Sequence, residues 1–291
     1  MAGWQGEPGG LKITVPPCRA RIANARQAPI GFAPDDHVMN AMLSGKVALV
    51  TGAAGGIGRA IALAAAREGA ALVLGDIQEA AGEQLLNELR EAGFAACFRR
   101  TDVSSTDDIG QLLELARKEF SSPDIAFANA GIEGPSGAPW DCSEADFMRV
   151  IDVNLMGTWR TMVSVLPDMV ERGAGAIVAT ASVAGLVGAG GLAAYVTSKH
   201  AVMGLVKSLA IDTAGRGVRV NAVCPGMIET DMVDRLAAAT PGFREALLAL
   251  KPMGRLGEAQ EVAEAAIWLA SDKASFITGH GMTIDGGYTA Q

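Results

Sequence analysis

Tyr195 and Lys199 stand four residues apart in a stretch of helical periodicity, so both side chains fall on one helix face. A tyrosine near its reference pKa of about 10 is a poor base at neutral pH. An ammonium beside it favours the phenolate and is expected to draw that pKa down, which makes the pair a candidate proton-transfer site. Tyr-x-x-x-Lys is a common chance spacing, so the pair needs context. Ser182 supplies some: it follows the apolar run at residues 176–180 and offers a hydroxyl near a strand end.

A second constellation binds rather than reacts. Thr51-Gly52-Ala53-Ala54-Gly55-Gly56-Ile57-Gly58 follows one apolar run and opens a helical one. Glycines at 52, 56 and 58 let the chain turn sharply and bring backbone N–H groups, with the positive end of a helix, close to a pyrophosphate. The spacing departs from plain G-x-G-x-x-G, and the order strand, glycines, helix is what gives it meaning. Asp76 ends the next apolar run, 20 residues after Gly56 (76 − 56). A carboxylate there accepts hydrogen bonds from an adenosine ribose and repels a 2′-phosphate. Ile77, Gln78 and Ala53 to Gly55 are uncharged, which points to NAD rather than NADP. Arg59 is the counter-candidate, and a helix residue there is expected on the exposed face.

These groups need a frame. Short apolar runs at 46–50, 71–75, 95–99, 125–129, 176–180, 219–223 and 281–284 read as strands. Helical periodicity fills 59–68, 80–92, 107–120, 146–172, 195–213 and 260–270. Strictly apolar strands separated by helices predict an α/β fold, a doubly wound parallel sheet of Rossmann type covered on both faces. A single domain over residues 41–291 is the economical division, and ligands of such sheets bind at the strands' carboxyl ends. Residues 1–40, rich in Gly and Pro, are expected to be a flexible N-terminal extension, or sequence upstream of a later start at Met39 or Met42. Its Arg-bearing, acid-free part from 8 to 34 is poor in serine and lacks the amphipathic run of a transit peptide.

The chain has 291 residues and a formal charge of −8, with no long basic run, which argues against nucleic acid or an anionic membrane as partner. Residues 173–198 carry no charge but are broken by glycines, and read as a strand, a loop and a helix start rather than a membrane span. A cytoplasmic protein is expected. Cys18, Cys97, Cys142 and Cys224, with three scattered histidines, show no metal-ligand spacing, so no metal is expected. Asp141, Glu144 and Asp146 read as a solvated helix start rather than an acid pair, and His200 has no catalytic role.

Taken together, residues 43–288 resemble the short-chain dehydrogenases/reductases in their shorter, single-domain branch. Thr51 to Gly58 looks like that family's glycine motif, Asp102-Val103 its adenine-contacting pair, and Asn129-Ala130-Gly131 the motif closing the fourth strand. Asn154, Ser182, Tyr195 and Lys199 match its catalytic tetrad. Pro225-Gly226-Met227-Ile228-Glu229-Thr230 resembles the stretch at the nicotinamide end. The resemblance implies cofactor contacts from Gly52, Gly56, Ile57, Gly58, Asp76, Asp102, Val103, Asn129, Gly131, Tyr195, Lys199, Pro225, Gly226, Ile228 and Thr230. It implies that Tyr195 exchanges the proton, Lys199 tunes it and binds the nicotinamide ribose, and Ser182 holds the reacting oxygen. Asn154 would hold a relay water. Two positions depart from the pattern: Ala128 and Ala179 stand where many members have asparagine.

The expected activity is NAD-dependent interconversion of a secondary alcohol and its ketone. A wall including Ile132, Glu133, Trp140, Leu192 and Met227, with a lid at 232–250, suggests a cyclic or aromatic-ring substrate similar to those of cyclic alcohol and diol dehydrogenases. The alternatives are a 3-oxoacyl thioester (acyl-carrier-protein) reductase, kept open by Arg235, Arg244, Lys251 and Arg255, and a non-catalytic NAD sensor or scaffold. Relatives of this kind are commonly homotetramers, with 146–172 and 195–213 supplying one interface.

Overall fold

The computed structural model describes residues 41–229, 248 and 251–291. The expected N-terminal extension, Thr230 and all of the 232–250 lid except Leu248 lie outside the described residues. Seven strands form one sheet: β1 (Val47–Thr51), β2 (Ala71–Asp76), β3 (Ala96–Arg100), β4 (Ile125–Ala128), β5 (Gly175–Thr180), β6 (Val218–Pro225) and β7 (Gly281–Ile284). All adjacent pairs are parallel, in the order β3-β2-β1-β4-β5-β6-β7. The strand order reverses between β1 and β4, and this opens a crevice at their carboxyl ends.

The alternation of side chains across a strand decides the layers. Ala48 and Val50 of β1, with Ala176 and Val178 of β5, join one core cluster. Val47, Leu49, Ile177 and Ala179 join the other. The first cluster is covered by α1 (Gly56–Arg67), α2 (Glu79–Glu91) and a C-terminal helix, α7 (Ala259–Ala270). The second is covered by α3 (Thr106–Glu119), α5 (Gly157–Arg172) and α6 (Ala193–Ala214). Burial on both faces explains why the strands read as continuous apolar runs. Among the described residues, no helix is long and apolar enough to cross a membrane.

One expectation is corrected. Periodicity reads 146–172 as a single helix, whereas α4 (Glu144–Ile151) is separated from α5 by a π-helical turn at Asp152–Met156. Such turns insert one residue into the helical repeat. The loosened carbonyls are taken up by hydroxyls one turn on: Thr158 Oγ1 donates to the Asn154 carbonyl at 2.7 Å and Thr161 Oγ1 to that of Gly157 at 2.8 Å. Gly157 also lets α5 start flush against the loop after β3, since a Cβ there would lie 2.6 Å from Val103 Cγ2. The acidic group beside α4 is a helix start, as expected. Ser143 accepts the Asp146 N–H at 3.1 Å, and its own hydroxyl donates back to the Asp146 carboxylate at 2.7 Å.

Candidate active site

The glycine loop joins β1 to α1 at the crevice. Gly52 has a left-handed φ of 65°, and a Cβ there would lie 2.7 Å from Ala130 Cα. A Cβ on Gly58 would lie 1.8 Å from the Gly52 carbonyl oxygen, so the helix and loop touch backbone to backbone. Asn129, just past β4, stitches the crevice together. Its Nδ2 donates to the Gly52 carbonyl at 3.0 Å, and its Oδ1 accepts from Thr180 Oγ1 at 3.0 Å. No side chain caps α1 at Gly55, where a Cβ would meet open space. The first-turn N–H groups of Gly56, Ile57 and Gly58 therefore face outward at the positive end of the helix.

Asp76 is buried, and each carboxylate oxygen accepts one backbone N–H, from Ala54 at 2.8 Å and Gln78 at 2.9 Å. A carboxylate has about four acceptor positions, so two remain for hydroxyl donors. Arg59 turns away and pairs with Glu88 of α2. Arg100 is the residue opposite Asp76 in the β2–β3 register, with its guanidinium 4.0 Å from Asp108. After β3, Asp102 accepts from Ser104 N–H and Oγ at 2.9 and 2.7 Å, which holds it below the usual carboxylate range. Val103 is buried behind it. An uncapped helix start, a glycine cradle and a strand-end carboxylate with spare acceptors together fit a dinucleotide.

Tyr195, Ser182 and Lys199 converge at the carboxyl end of β5. The Tyr195 hydroxyl shares a hydrogen bond with Ser182. Lys199 is fully within the protein, its Nζ 2.7 Å from the Thr180 carbonyl and 5.6 Å from the centre of the Tyr195 ring. Burial pushes its pKa down to about 8. The expected lowering of Tyr195 is not what the protein does. Desolvation raises its pKa above the ordinary value, Ser182 opposes the rise, and the negative charge of Glu133 adds to it. Desolvation prevails, and the Lys199 amine, itself desolvated and turned to the Thr180 carbonyl, does not reverse it.

Asn154 lies in the π turn and is fully buried. Its Oδ1 accepts from Ile132 N–H at 2.7 Å. Its Nδ2 donates to the Ile132 carbonyl at 2.8 Å and to Ser198 Oγ at 3.0 Å. Ser198 Oγ in turn donates to the Tyr195 carbonyl at 2.7 Å. Asn154 thus ties the loop after β4 to the turn of α6 that carries Tyr195. Gly131 sits within the same group, where a Cβ would be 3.3 Å from Asn154 Oδ1 and 3.6 Å from Lys199 Nζ. Pro225 ends β6. Gly226 packs on Asp285, and Ile228 forms a bridge with Gly257.

A family model described as Enoyl-(Acyl carrier protein) reductase matches residues 52–289. The chain belongs to the short-chain dehydrogenase/reductase family. It is 38% identical to a cyclohexanol dehydrogenase from Acinetobacter sp. (strain SE19) over 257 residues, 88% of this chain and 100% of that one. It is 42% identical to a cis-4-hydroxycyclohexanecarboxylate dehydrogenase from Sinomonas cyclohexanicum, over 84% of this chain and 97% of that one. The solved structure of levodione reductase superposes with a TM-score of 0.82 at 34% identity, covering 85% of this chain and 99% of that one. The protein is an enzyme of CH–OH chemistry, and the fold implies a nicotinamide cofactor.

The two departures from the family pattern prove to be neighbours. Ala128 and Ala179 face each other in the β4–β5 register and lie in the same core cluster, so a pair of small apolar residues replaces a pair of polar ones. Sequence reasoning missed Ser198, although it stands inside the Tyr-Val-Thr-Ser-Lys run. It also missed Cys224, whose buried Sγ accepts the Ser182 N–H and lies 3.6 Å from Met203 Sδ. Burial pushes that thiol up to about 11. Nothing in the sequence points to either contact. His200 is exposed with Nδ1 3.0 Å from the Val196 carbonyl, away from the cluster.

Proposed function

We propose that the enzyme interconverts a ring-bearing secondary alcohol and its ketone with NAD. The observation that carries this reading is the Tyr195–Ser182 hydrogen bond, beside a buried Lys199, at the carboxyl end of the sheet. Tyr195 takes the hydroxyl proton in oxidation and returns it in reduction. Ser182 donates to the reacting oxygen as it gains negative charge. When bound, the cofactor supplies the hydride-transferring ring. Lys199, whose amine is poised near neutrality, passes the proton onward and meets the nicotinamide ribose. Asn154 is a positioning residue, because both its Nδ2 hydrogens are committed to Ile132 and Ser198. One lone pair on its Oδ1 remains to take a water.

Asp76 supports NAD over NADP, as does the engagement of Arg59 with Glu88. The mainly apolar residues read from the sequence as lining the site, and the ring-alcohol names of two similar dehydrogenases, support the substrate class. Tyr195, Ser182, Lys199, Gly52, Gly56, Ile57, Gly58, Asp76, Asp102, Val103, Asn129, Gly131, Pro225, Gly226, Ile228 and Thr230 would hold substrate or cofactor. Apolar residues exposed on one protomer, Met148, Trp159 and Ile211, support a homotetramer, which sedimentation would register directly.

The test is a turnover screen with NAD and NADP separately, following nicotinamide absorbance with cyclic and aromatic secondary alcohols and their ketones. NAD-linked turnover, lost in Tyr195→Phe while cofactor binding persists, is expected. NADPH-linked reduction of 3-oxoacyl thioesters with no NAD activity would refute the reading.

A further inference from the structure

Arg160 lies in the first turn of α5 with its side chain 15% exposed, and it bridges two segments far apart in the chain. Its Nη2 donates to Asp152 Oδ1 at 2.8 Å, and its Nη1 to the Val103 carbonyl at 3.3 Å and the Asp152 carbonyl at 3.4 Å. Asp152 opens the π turn that carries Asn154. Val103 belongs to the loop after β3, and that loop starts beside Asp76, whose carbonyl accepts the Thr101 N–H at 2.8 Å. The π turn is what makes the bridge possible. Two α-helical turns take about 7 residues, and the inserted one brings the repeat to 8, the separation of Asp152 and Arg160. Without the insertion the carboxylate would point roughly a quarter turn away from the guanidinium. Gly157 tightens the same contact, since a Cβ there would lie 2.6 Å from Val103 Cγ2. The loop has its own ties: the Asp102 N–H donates to Asp108 Oδ2 at 2.9 Å, and Asp102 Oδ1 accepts from Ser104.

We propose that Arg160 is a positioning residue that couples the two ends of the cofactor site: an adenosine moiety seated at the loop after β3 steadies, through Arg160 and Asp152, the turn that holds Asn154. This rests on the dinucleotide reading above. A base and ribose seated there favour one arrangement of the loop, and with it one position of the Val103 carbonyl. The guanidinium is planar with its donors in a fixed fork, so the groups it holds together keep a set spacing. Asp152 stands two residues before Asn154, whose amide sets the Ile132 loop and, through Ser198, the turn of α6 that carries Tyr195. Binding energy from the end of the cofactor remote from the reacting carbon is thereby directed to ordering the groups that do the chemistry.

The probe is AMP, which carries the adenosine end alone, added to the full chain as wild type, Arg160→Met, Arg160→Lys and Asp152→Ala. Amide hydrogen exchange is read at residues 102–105 and 152–158 with AMP binding followed by calorimetry. In the wild type, saturating AMP should slow exchange in both segments, the second by about ten-fold. In Arg160→Met, AMP should still bind and protect the loop but leave 152–158 unchanged. Arg160→Lys, which keeps the charge and loses the fork, should retain only part of the effect. Asp152→Ala breaks the bridge from its other end and should behave as Arg160→Met, which keeps the test open if that variant fails to fold. With NAD and a ring alcohol, kcat should fall by about ten-fold in Arg160→Met with little change in KM for NAD. A purely structural role would speed exchange at 152–158 equally with and without AMP, and that result overturns the coupling. So does equal AMP protection of 152–158 in wild type and Arg160→Met; both leave the dinucleotide reading standing. No binding of AMP to the wild type overturns both.

Discussion

Lys199 gives a stability signature that can be worked in advance. The amine titrates at 10.5 when unfolded and at about 8 in the folded protein, because burial disfavours the ammonium. A depressed folded pKa means that the folded state binds the proton less well than the unfolded one. The associated stability is therefore fully present above 10.5 and is lost as pH falls through 8. At about 1.4 kcal/mol per pKa unit, the wild type should carry a charging penalty of about 3 kcal/mol at pH 7, falling below 1 kcal/mol at pH 10. Lys199→Met removes the titration but also the bond to the Thr180 carbonyl, a loss that does not vary with pH over this range. The test is thus the pH dependence of the difference. Urea unfolding of both forms at pH 7 and pH 10, without cofactor, should show the mutant gaining about 2–3 kcal/mol on the wild type at the lower pH. A difference flat in pH would refute the claim that the fold disfavours the charged amine.

Further outcomes follow from single contacts. Gly58→Ala should weaken NAD binding by more than about 100-fold and lower Tm, because its Cβ meets the Gly52 carbonyl rather than a movable side chain; titration calorimetry and melting curves would report both. Asp76→Ser should shift the NAD:NADP ratio of kcat/KM toward NADP by about ten-fold or more, and an unchanged ratio would remove Asp76 from cofactor choice. Arg219 donates to the carbonyls of Leu269, Ala270 and Ser271 at the end of α7, so Arg219→Lys should cost about 2 kcal/mol in urea unfolding without changing KM. Asn154→Ala frees the Ile132 loop from α6 and should lower kcat far more than cofactor affinity, as steady-state kinetics beside a binding isotherm would show.

What could be read from the sequence was whatever lay along one element. Tyr195 and Lys199 share a helix face, Gly52 to Gly58 form one turn, and Asp76 ends one strand, so spacing alone located them. The parallel sheet followed from apolar runs such as Val47–Thr51 and Gly175–Thr180, which are buried on both faces. The π turn was hidden because one inserted residue shifts the helical repeat without breaking it, and Asp152–Met156 contains no proline or glycine to mark it. Contacts across the chain were equally hidden: Ile132 to Asn154, Asn154 to Ser198 and Ser182 to Cys224 join segments that no local pattern relates. The direction of the Tyr195 shift belongs with these, since it depends on how deep the phenol sits.

Burial drives both members of the Tyr195–Lys199 pair toward their neutral forms, the phenol by raising its pKa and the amine by lowering its own. Helix α6 therefore places the pair, but it does not by itself set how readily the phenol releases a proton. The opposing influences come from two loops: Ser182 after β5 eases ionisation, and Glu133 after β4 resists it. Both loops are held from other elements, Ile132 by Asn154 of the π turn and Ser182 by Cys224 near the end of β6. The short segment beyond β4 thus bears on the ionisation of Tyr195 through the charge of Glu133. Removing the charge of Glu133 should therefore move the pH dependence of turnover, whereas a change on the outer face of α6 should not.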